Sequence, residues 1–255
     1  MKRIFVSGIL AVQIVLSQTP AFDAVSIKPS AADARGGGFN LSPGRLTAKN
    51  QSLKELVRFA YDLHDYQLSG GLGWTDTERY EVVATFPGGT TNTQRARMMQ
   101  TMLADRFALT VHRESKEVAG YALVMGKNGP KFHAAESEQP GMMLGRSATS
   151  GQRTLNANRA KMTELASILA DLLGKPVEDK TGLEGIFDFA MEWTPDPVSE
   201  RSLKPGAEKQ EATGDGPIGP SIFTALQETL GLKLATKKVP VLALVIDHAE
   251  KPSSN

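Results

Sequence analysis

The chain contains one segment twice. Residues 45–56 read Arg-Leu-Thr-Ala-Lys-Asn-Gln-Ser-Leu-Lys-Glu-Leu, and an altered copy occupies residues 153–165. Repetition of such a unit predicts a scaffold built by duplication. Because packing determines a scaffold of this kind and many chemistries can share it, the sequence constrains the fold more than the function.

Both copies predict a helix at the same place. Ser52 and Glu55 form the Ser-x-x-Glu pattern of a capping box, which predicts a helix beginning at Leu53. The second copy has apolar residues at helical spacing from Met162 and ends at Gly174. Aligning Leu53 with Met162 gives an offset of 162 − 53 = 109 residues.

Matching elements follow each predicted helix. Residues 80–86 and 187–193 alternate apolar and polar side chains, which predicts a strand with one face in a core. Helices are then expected over 93–106 and 221–230, each followed by strands. The offset between the copies grows here, since 242 − 121 = 121 for the shared Ala-Leu-Val. A longer insertion in the second copy explains that growth.

We therefore predict an α+β fold of two duplicated lobes, each with helices packed on a mostly antiparallel sheet. The lobes cover residues 22–133 and 153–252. A linker is expected at 134–152, which contains Gly, Ser and Pro. A flexible insertion is expected at 196–220, because this stretch is rich in Pro, Gly, Glu and Lys.

Residues 1–21 resemble an export signal. Lys2 and Arg3 precede an uncharged run, and Ser17 to Ala21 supply small or turn-forming residues after it. This predicts a periplasmic or extracellular protein, and an uncleaved anchor is the alternative. The chain has no cysteine, so we expect apolar packing to supply its stability without disulfides.

The charge balance argues against nucleic acid as a partner. The sequence has 29 basic and 28 acidic residues, and loss of Lys2 and Arg3 with the signal leaves 27 − 28 = −1. Nucleic-acid binding depends on clustered basic residues that neutralise phosphates.

Four motifs occur in order along the chain: Phe-Asp-Ala-Val-Ser-Ile-Lys-Pro at 22–29, Leu-Ala-Asp-Arg-Phe-Ala-Leu-Thr-Val-His-Arg-Glu at 103–114, Asp-Lys-Thr-Gly-Leu-Glu-Gly at 179–185, and Val-Ile-Asp-His-Ala-Glu-Lys-Pro-Ser at 245–253. Through them the chain resembles an uncharacterised family of secreted proteins that are abundant in soil bacteria. The family is a domain of unknown function without assigned catalytic residues. The resemblance implies a sensing or partner module, with a membrane metallopeptidase of the antibiotic-sensor type as a partner.

A second likeness involves the repeated unit itself. Its strand, capped helix and Gly-rich turn are similar to the small periplasmic domains at the N-termini of secretins and TonB-dependent receptors. Those domains are protein-interaction modules, so this likeness also implies binding.

Familiar catalytic and metal-binding motifs are incomplete. Lys180-Thr-Gly matches a β-lactamase triplet, but the sequence has neither Ser-x-x-Lys nor Ser-Asp-Asn, so we interpret it as a turn. Gly-x-Ser-x-Gly is also missing. The four histidines do not show metal-ligand spacing. We therefore predict no catalytic residues, no metal and no cofactor.

Five residues remain as candidates for binding a ligand or partner. Tyr66 and Trp74 lie in a Gly-rich loop whose aromatic rings could present a flat apolar surface, although a lid on the core is the favoured interpretation of Trp74. His112, Arg113 and His248 lie at matching strand ends of the two halves, where ordinary surface residues are the simpler interpretation.

The sequence favours a non-catalytic interaction module that binds an envelope protein or a small ligand. The alternative is a hydrolase or another enzyme with an unfamiliar site between the lobes. A cleft lined by His112, Arg113, Glu114, Asp247 and His248 would favour the enzyme. A body with an exposed apolar sheet edge would favour the binding module.

Overall fold

The computed structural model describes residues 19–195 and 219–252. Its helices are α1 Leu53–Tyr61, α2 Trp74–Thr77, α3 Asn92–Phe107, α4 Met162–Leu173 and α5 Ile222–Ala225, which continues as a π-helix over Leu226–Leu230. A 3-10 turn covers Asp65–Gln67. The strands are β1 Ala24–Pro29, β2 Gly38–Ser42, β3 Arg45–Ser52, β4 Leu68–Gly70, β5 Arg79–Thr85, β6 Thr110–Met125, β7 His133–Ala134, β8 Gly141–Arg146, β9 Arg153–Ala160, β10 Val177–Asp179, β11 Phe187–Trp193 and β12 Leu232–His248.

The capping box predicted for α1 is confirmed. The Glu55 amide donates to Ser52 Oγ at 3.2 Å, and the Ser52 amide donates to the Glu55 carboxylate at 2.7 Å. At the start of α4 the Lys161 amide donates to the Glu164 carboxylate at 2.8 Å. Because lysine has no side-chain acceptor, only this half of the motif exists at α4. Gly174 ends α4 in the left-handed conformation, as predicted.

The helices pack on mostly antiparallel sheets, so the predicted α+β class is confirmed. Three four-stranded sheets have the orders β1-β5-β3-β2, β10-β6-β12-β4 and β7-β11-β9-β8. The first sheet comes from the first half of the chain, and most of the third comes from the second half. The middle sheet combines strands from both.

The long strands β6 and β12 connect the two halves. They pair antiparallel along almost their whole length, from Leu232 opposite Met125 to His248 opposite Thr110. The described residues form two apolar cores, one around α1 and α3 and the other around α4 and α5. Leu244 and Ile246 of β12 are buried in the first core, although they lie near the end of the chain. Neither core is therefore built only from one contiguous half.

Several features recur in both halves. β4 follows α1 and pairs in parallel with β12, whereas β10 follows α4 and pairs in parallel with β6. Asn50 and Arg159 both adopt φ 52°, and they are separated by the same offset as the helices, 159 − 50 = 109. Duplication of the lobes stays a prediction, and these correspondences agree with it.

The linker predicted at 134–152 is not a plain connection. Residues Gly141–Arg146 form β8, which pairs antiparallel with β9 and extends the third sheet. The predicted signal at 1–21 and the predicted insertion at 196–220 fall almost wholly outside the described residues. Among the described residues no helix is long and apolar enough to span a bilayer.

Candidate functional site

One open sheet edge lies at β2. β2 is the last strand of its sheet and pairs only with β3 among the described strands. Pro43 and Gly44 form the two-residue turn between them, which Gly44 permits with φ 72°. The pair that closes such a turn is hydrogen-bonded, and hydrogen-bonded pairs alternate along an antiparallel ladder. Counting from Ser42, the backbone groups of Leu41 and Phe39 therefore point to the free edge.

Apolar side chains of β2 face the helices. The ring of Phe39 stacks on the ring of Phe59 in α1, with centroids 4.0 Å apart and planes 5° apart. Leu41 lies two residues further on the same strand face, opposite the buried Leu46. Leu41 itself is 49% exposed. An unpaired strand edge thus presents a large, solvent-exposed apolar side chain.

A groove of about 540 Å³ lies beside Leu41, between β2, α1 and the start of α3. Its walls contain Leu41, Leu46, Phe59, Asp62, Asn92, Thr93, Arg95, Ala96 and Met99. The Arg95 side chain is held in place, because its guanidinium donates to the Thr90 carbonyl at 2.6 Å and lies 5.6 Å from the centre of the Phe86 ring. The groove therefore has an apolar floor and a fixed polar rim.

Two neighbouring concavities near the loop at 31–38 are more polar than the groove beside Leu41. Glu55, which lines one of them, already accepts a hydrogen bond from the Ser52 amide and pairs with Arg79. A carboxylate with these partners is part of the helix cap, so we do not place the site there.

Trp74 and Tyr66 have different neighbours. Trp74 begins α2 and packs, partly buried, against the first core, as a lid would. Tyr66 stacks on His64 with ring centroids 4.9 Å apart. His64 Nδ1 in turn lies 3.2 Å from the Asp171 carboxylate of α4. Burial raises the pKa of Tyr66, and the charge of Asp171 raises it further.

His112 and His248 each have an acidic neighbour. His112 Nδ1 lies 2.7 Å from Asp247 Oδ1, and both side chains are about half exposed. His248 Nε2 lies 3.1 Å from the Glu250 carboxylate. The structure thus brings together His112 and Asp247, two of the residues named for a cleft between the halves.

Arg113 belongs to a different surface from His112. Consecutive residues of a strand point to opposite faces, and Arg113 pairs opposite the core residue Leu244. Burial raises the pKa of Tyr61. The positive charge of Arg113 acts in the opposite direction, but its effect is smaller. None of these three concavities is lined by any of the five predicted residues. The described residues also contain no group of three His, Cys, Asp or Glu that could hold a metal.

Sequence analysis missed the β2 surface. A signal was present, since Phe39 and Leu41 alternate with Asn40 and Ser42 before Pro43-Gly44, which is the pattern of a hairpin strand. The openness of the edge was not predictable, because it depends on the strand order β1-β5-β3-β2 of the sheet.

The fold and the surface define an α+β protein with an open, apolar sheet edge. The chain belongs to the family described as Protein of unknown function (DUF3738), whose pattern matches residues 54–249. No curated protein and no solved structure matches the chain significantly.

Proposed function

We propose that this protein is an extracytoplasmic, non-catalytic interaction module that binds an extended segment of an envelope protein along β2. The observation that carries the proposal is the exposed Leu41 at a free strand edge beside an apolar groove. A bound segment would exchange backbone hydrogen bonds with Phe39 and Leu41. Its alternate side chains would continue the apolar sheet face into the groove.

The groove favours a strand with apolar residues at every second position. An added strand lies about 4.8 Å from β2, so its side chains on the helix side come next to Leu41 and Phe59. The opposite face of β2 carries Asn40 and Ser42, which suits polar residues at the alternate positions. The family resemblance suggests a membrane metallopeptidase of the antibiotic-sensor type as one partner with such a segment.

The His112–Asp247 pair does not favour the alternative enzyme function. An imidazole held by a carboxylate can act as a general base, but it needs a nucleophile and a site that excludes water. Both side chains are about half exposed on the strand surface. We therefore base the proposal on β2.

Selection of short random peptides on the purified protein tests the proposal. We expect the selected peptides to share apolar residues at every second position. Leu41→Asp should weaken their binding by about tenfold or more, because it places a charge in the apolar contact. Leu242→Asp is the matched control, since Leu242 is 51% exposed on β12 and does not line the groove.

Amide exchange supplies a second readout. A bound strand should protect the amides of Phe39 and Leu41, whereas Asn40 should change little because its amide already faces β3. Peptides that bind Leu41→Asp as well as the wild type, or that leave both amides unprotected, would refute strand addition at β2.

A further inference from the structure

A second open edge lies at β8, in a different sheet from β2. β8 is the last strand of the sheet β7-β11-β9-β8 and pairs only with β9 among the described strands. From Gly141 to Gly145 it contains no charge and no proline. Met143 is 70% exposed and Leu144 is 42% exposed, on opposite faces of the strand. Unprotected edges of this kind pair readily with other strands.

A hydrogen bond in the loop after β8 shows which residues of β8 bond to β9 and which face the free edge. The Ser147 amide donates to the Gln152 carbonyl at 2.8 Å, so this pair is hydrogen-bonded. Alternation along the ladder then makes Met143 opposite Asn156 a hydrogen-bonded pair. The backbone groups of Met142 and Leu144 consequently point to the free edge.

We propose that β8 pairs with β8 of a second copy of this chain, antiparallel and centred on Met143, to form a twofold-symmetric dimer. In this register Met142 lies opposite Leu144 of the partner subunit, and these residues exchange backbone hydrogen bonds. Both have their backbone groups at the free edge, so the register satisfies the alternation of the ladder. Two four-stranded sheets then form one continuous sheet.

The sequence of β8 is self-complementary in this register. Gly-Met-Met-Leu-Gly reads almost the same in both directions, so each glycine lies opposite a glycine and each large apolar residue opposite another. Arg146 comes opposite Pro140 of the partner subunit, so no like charges meet across the interface. A twofold interface requires this kind of self-complementarity.

β2 does not share these properties. It carries Asn40 and Ser42 on one face and is followed at once by Pro43. The two edges therefore suit different occupants, a foreign segment at β2 and a second copy at β8. The dimer does not depend on the function proposed for β2, but it would place two β2 edges in one particle.

Cysteine cross-linking tests the register directly, because the chain has no cysteine of its own. At the centre of the interface the two Met143 residues form a non-hydrogen-bonded pair, whose Cα atoms are about 4.5 Å apart, within the range of a disulfide. Met143→Cys should therefore form a disulfide-linked dimer under mild oxidation. Leu144→Cys should form it at least about tenfold more slowly, because Leu144 faces Met142 of the partner subunit.

Met125→Cys measures random collision, since Met125 is 46% exposed on β6 away from this edge. Equal cross-linking of Met143→Cys and Leu144→Cys, or of Met143→Cys and Met125→Cys, would overturn the proposed pairing.

Sedimentation of the cysteine-free protein tests the dimer independently. We expect the wild type and Met125→Lys to sediment as dimers at micromolar to sub-millimolar concentrations. Met143→Lys should sediment as a monomer, because two lysines would lie directly opposite each other at the centre. A monomeric wild type, or a dimeric Met143→Lys, would refute the proposal whatever happens at β2.

Discussion

At the scale of single residues, Asp188 makes the most concentrated set of contacts in the described structure. Its carboxylate accepts from the Arg159 amide at 2.7 Å, the Ser137 amide at 2.9 Å, the Ser137 hydroxyl at 2.7 Å and the Glu136 amide at 3.0 Å. These donors hold the pKa of Asp188 well below its ordinary value, and the Ser137 hydroxyl is the largest cause. The side chain fixes the segment after β7 to the end of β9.

Asp188 should make the stability of the protein depend on acid pH. A depressed carboxyl pKa stabilises the fold fully above the ordinary Asp pKa of about 3.9, and this contribution is lost as the pH falls through the lower folded pKa. Asp188→Asn should therefore lower the urea midpoint at neutral pH. The gap from the wild type should shrink below about pH 4.

Urea unfolding at a series of pH values measures this gap. Asp105→Asn is the control, because Asp105 is exposed on α3 and its removal should leave the midpoint nearly unchanged. A gap that stays constant down to the acid limit would show that Asp188 acts through shape and not through charge.

Local residue roles could be predicted from the sequence, whereas distant ones could not. Ser52 and Glu55 are three residues apart, so their capping box is visible as a pattern and is confirmed. Asp188 and Ser137 are 51 residues apart, so nothing local connects them. His112 and Asp247 are 135 residues apart, so the sequence could group them only as members of a hypothetical cleft and could not show their direct contact.

At the scale of elements, the starts of α1 and α4 offer a matched comparison. Ser52→Ala should destabilise the protein by about 1 kcal/mol, because it leaves an amide of the first turn of α1 without its acceptor. Lys161→Ser should stabilise it by about 0.5–1 kcal/mol, because it supplies the hydroxyl that α4 lacks. Lys161 already has the extended conformation of a cap residue, with φ −87° and ψ 154°.

Chemical denaturation of the two single variants and of the double variant measures these effects. The changes should add, since the helices belong to different cores. A destabilising Lys161→Ser would mean that the lysine makes a contribution other than capping.

Strong periodicity made the longer elements predictable, and its absence explains why β8 was missed. The predicted helix over 93–106 is observed as α3, and the strand at 187–193 is observed as β11. Residues 141–146 were predicted as part of a linker because the stretch 134–152 contains Gly, Ser and Pro. Pairing with β9 makes them a strand, and pairing of this kind outweighs intrinsic propensity in sheets.

At the scale of the whole molecule, the paired strands β6 and β12 should make unfolding a single transition. Trp74 packs against the first core and Trp193 lies in the second, and the chain has no other tryptophan. Trp193→Phe and Trp74→Phe therefore leave a fluorescence probe in one core each. We expect both probes to report unfolding curves of the same shape and, after correction for each substitution, the same midpoint.

Ile246→Ala provides the decisive variant. Ile246 is buried in the first core, so its truncation should cost about 2–5 kcal/mol. If the halves unfold together, the probe at Trp193 should shift as far as the probe at Trp74. A shift confined to Trp74 would show that the second half unfolds independently.

The arrangement of the halves was not contained in any local pattern. Two lobes were predicted from the repeated segment, and that division stays a prediction, while the described residues form two cores. The sequence could not show that β12 completes the first core, because this depends on a register between residues more than 100 positions apart, such as Ile246 opposite Val111. Contacts at such separation cannot be inferred from periodicity.

The position of Leu244 and Ile246 sets the order in which the molecule can be completed. During synthesis from the N-terminus, α1 and α3 are made long before β12. The first core therefore stays incomplete until β12 has been synthesised. A stop codon or a protease cut before Leu244 would thus remove packing from the part of the protein that was made first. Tags and fusions on the C-terminal side belong after residue 251, because the Glu250 amide donates to the Phe107 carbonyl at 2.7 Å and Lys251 pairs with Glu78.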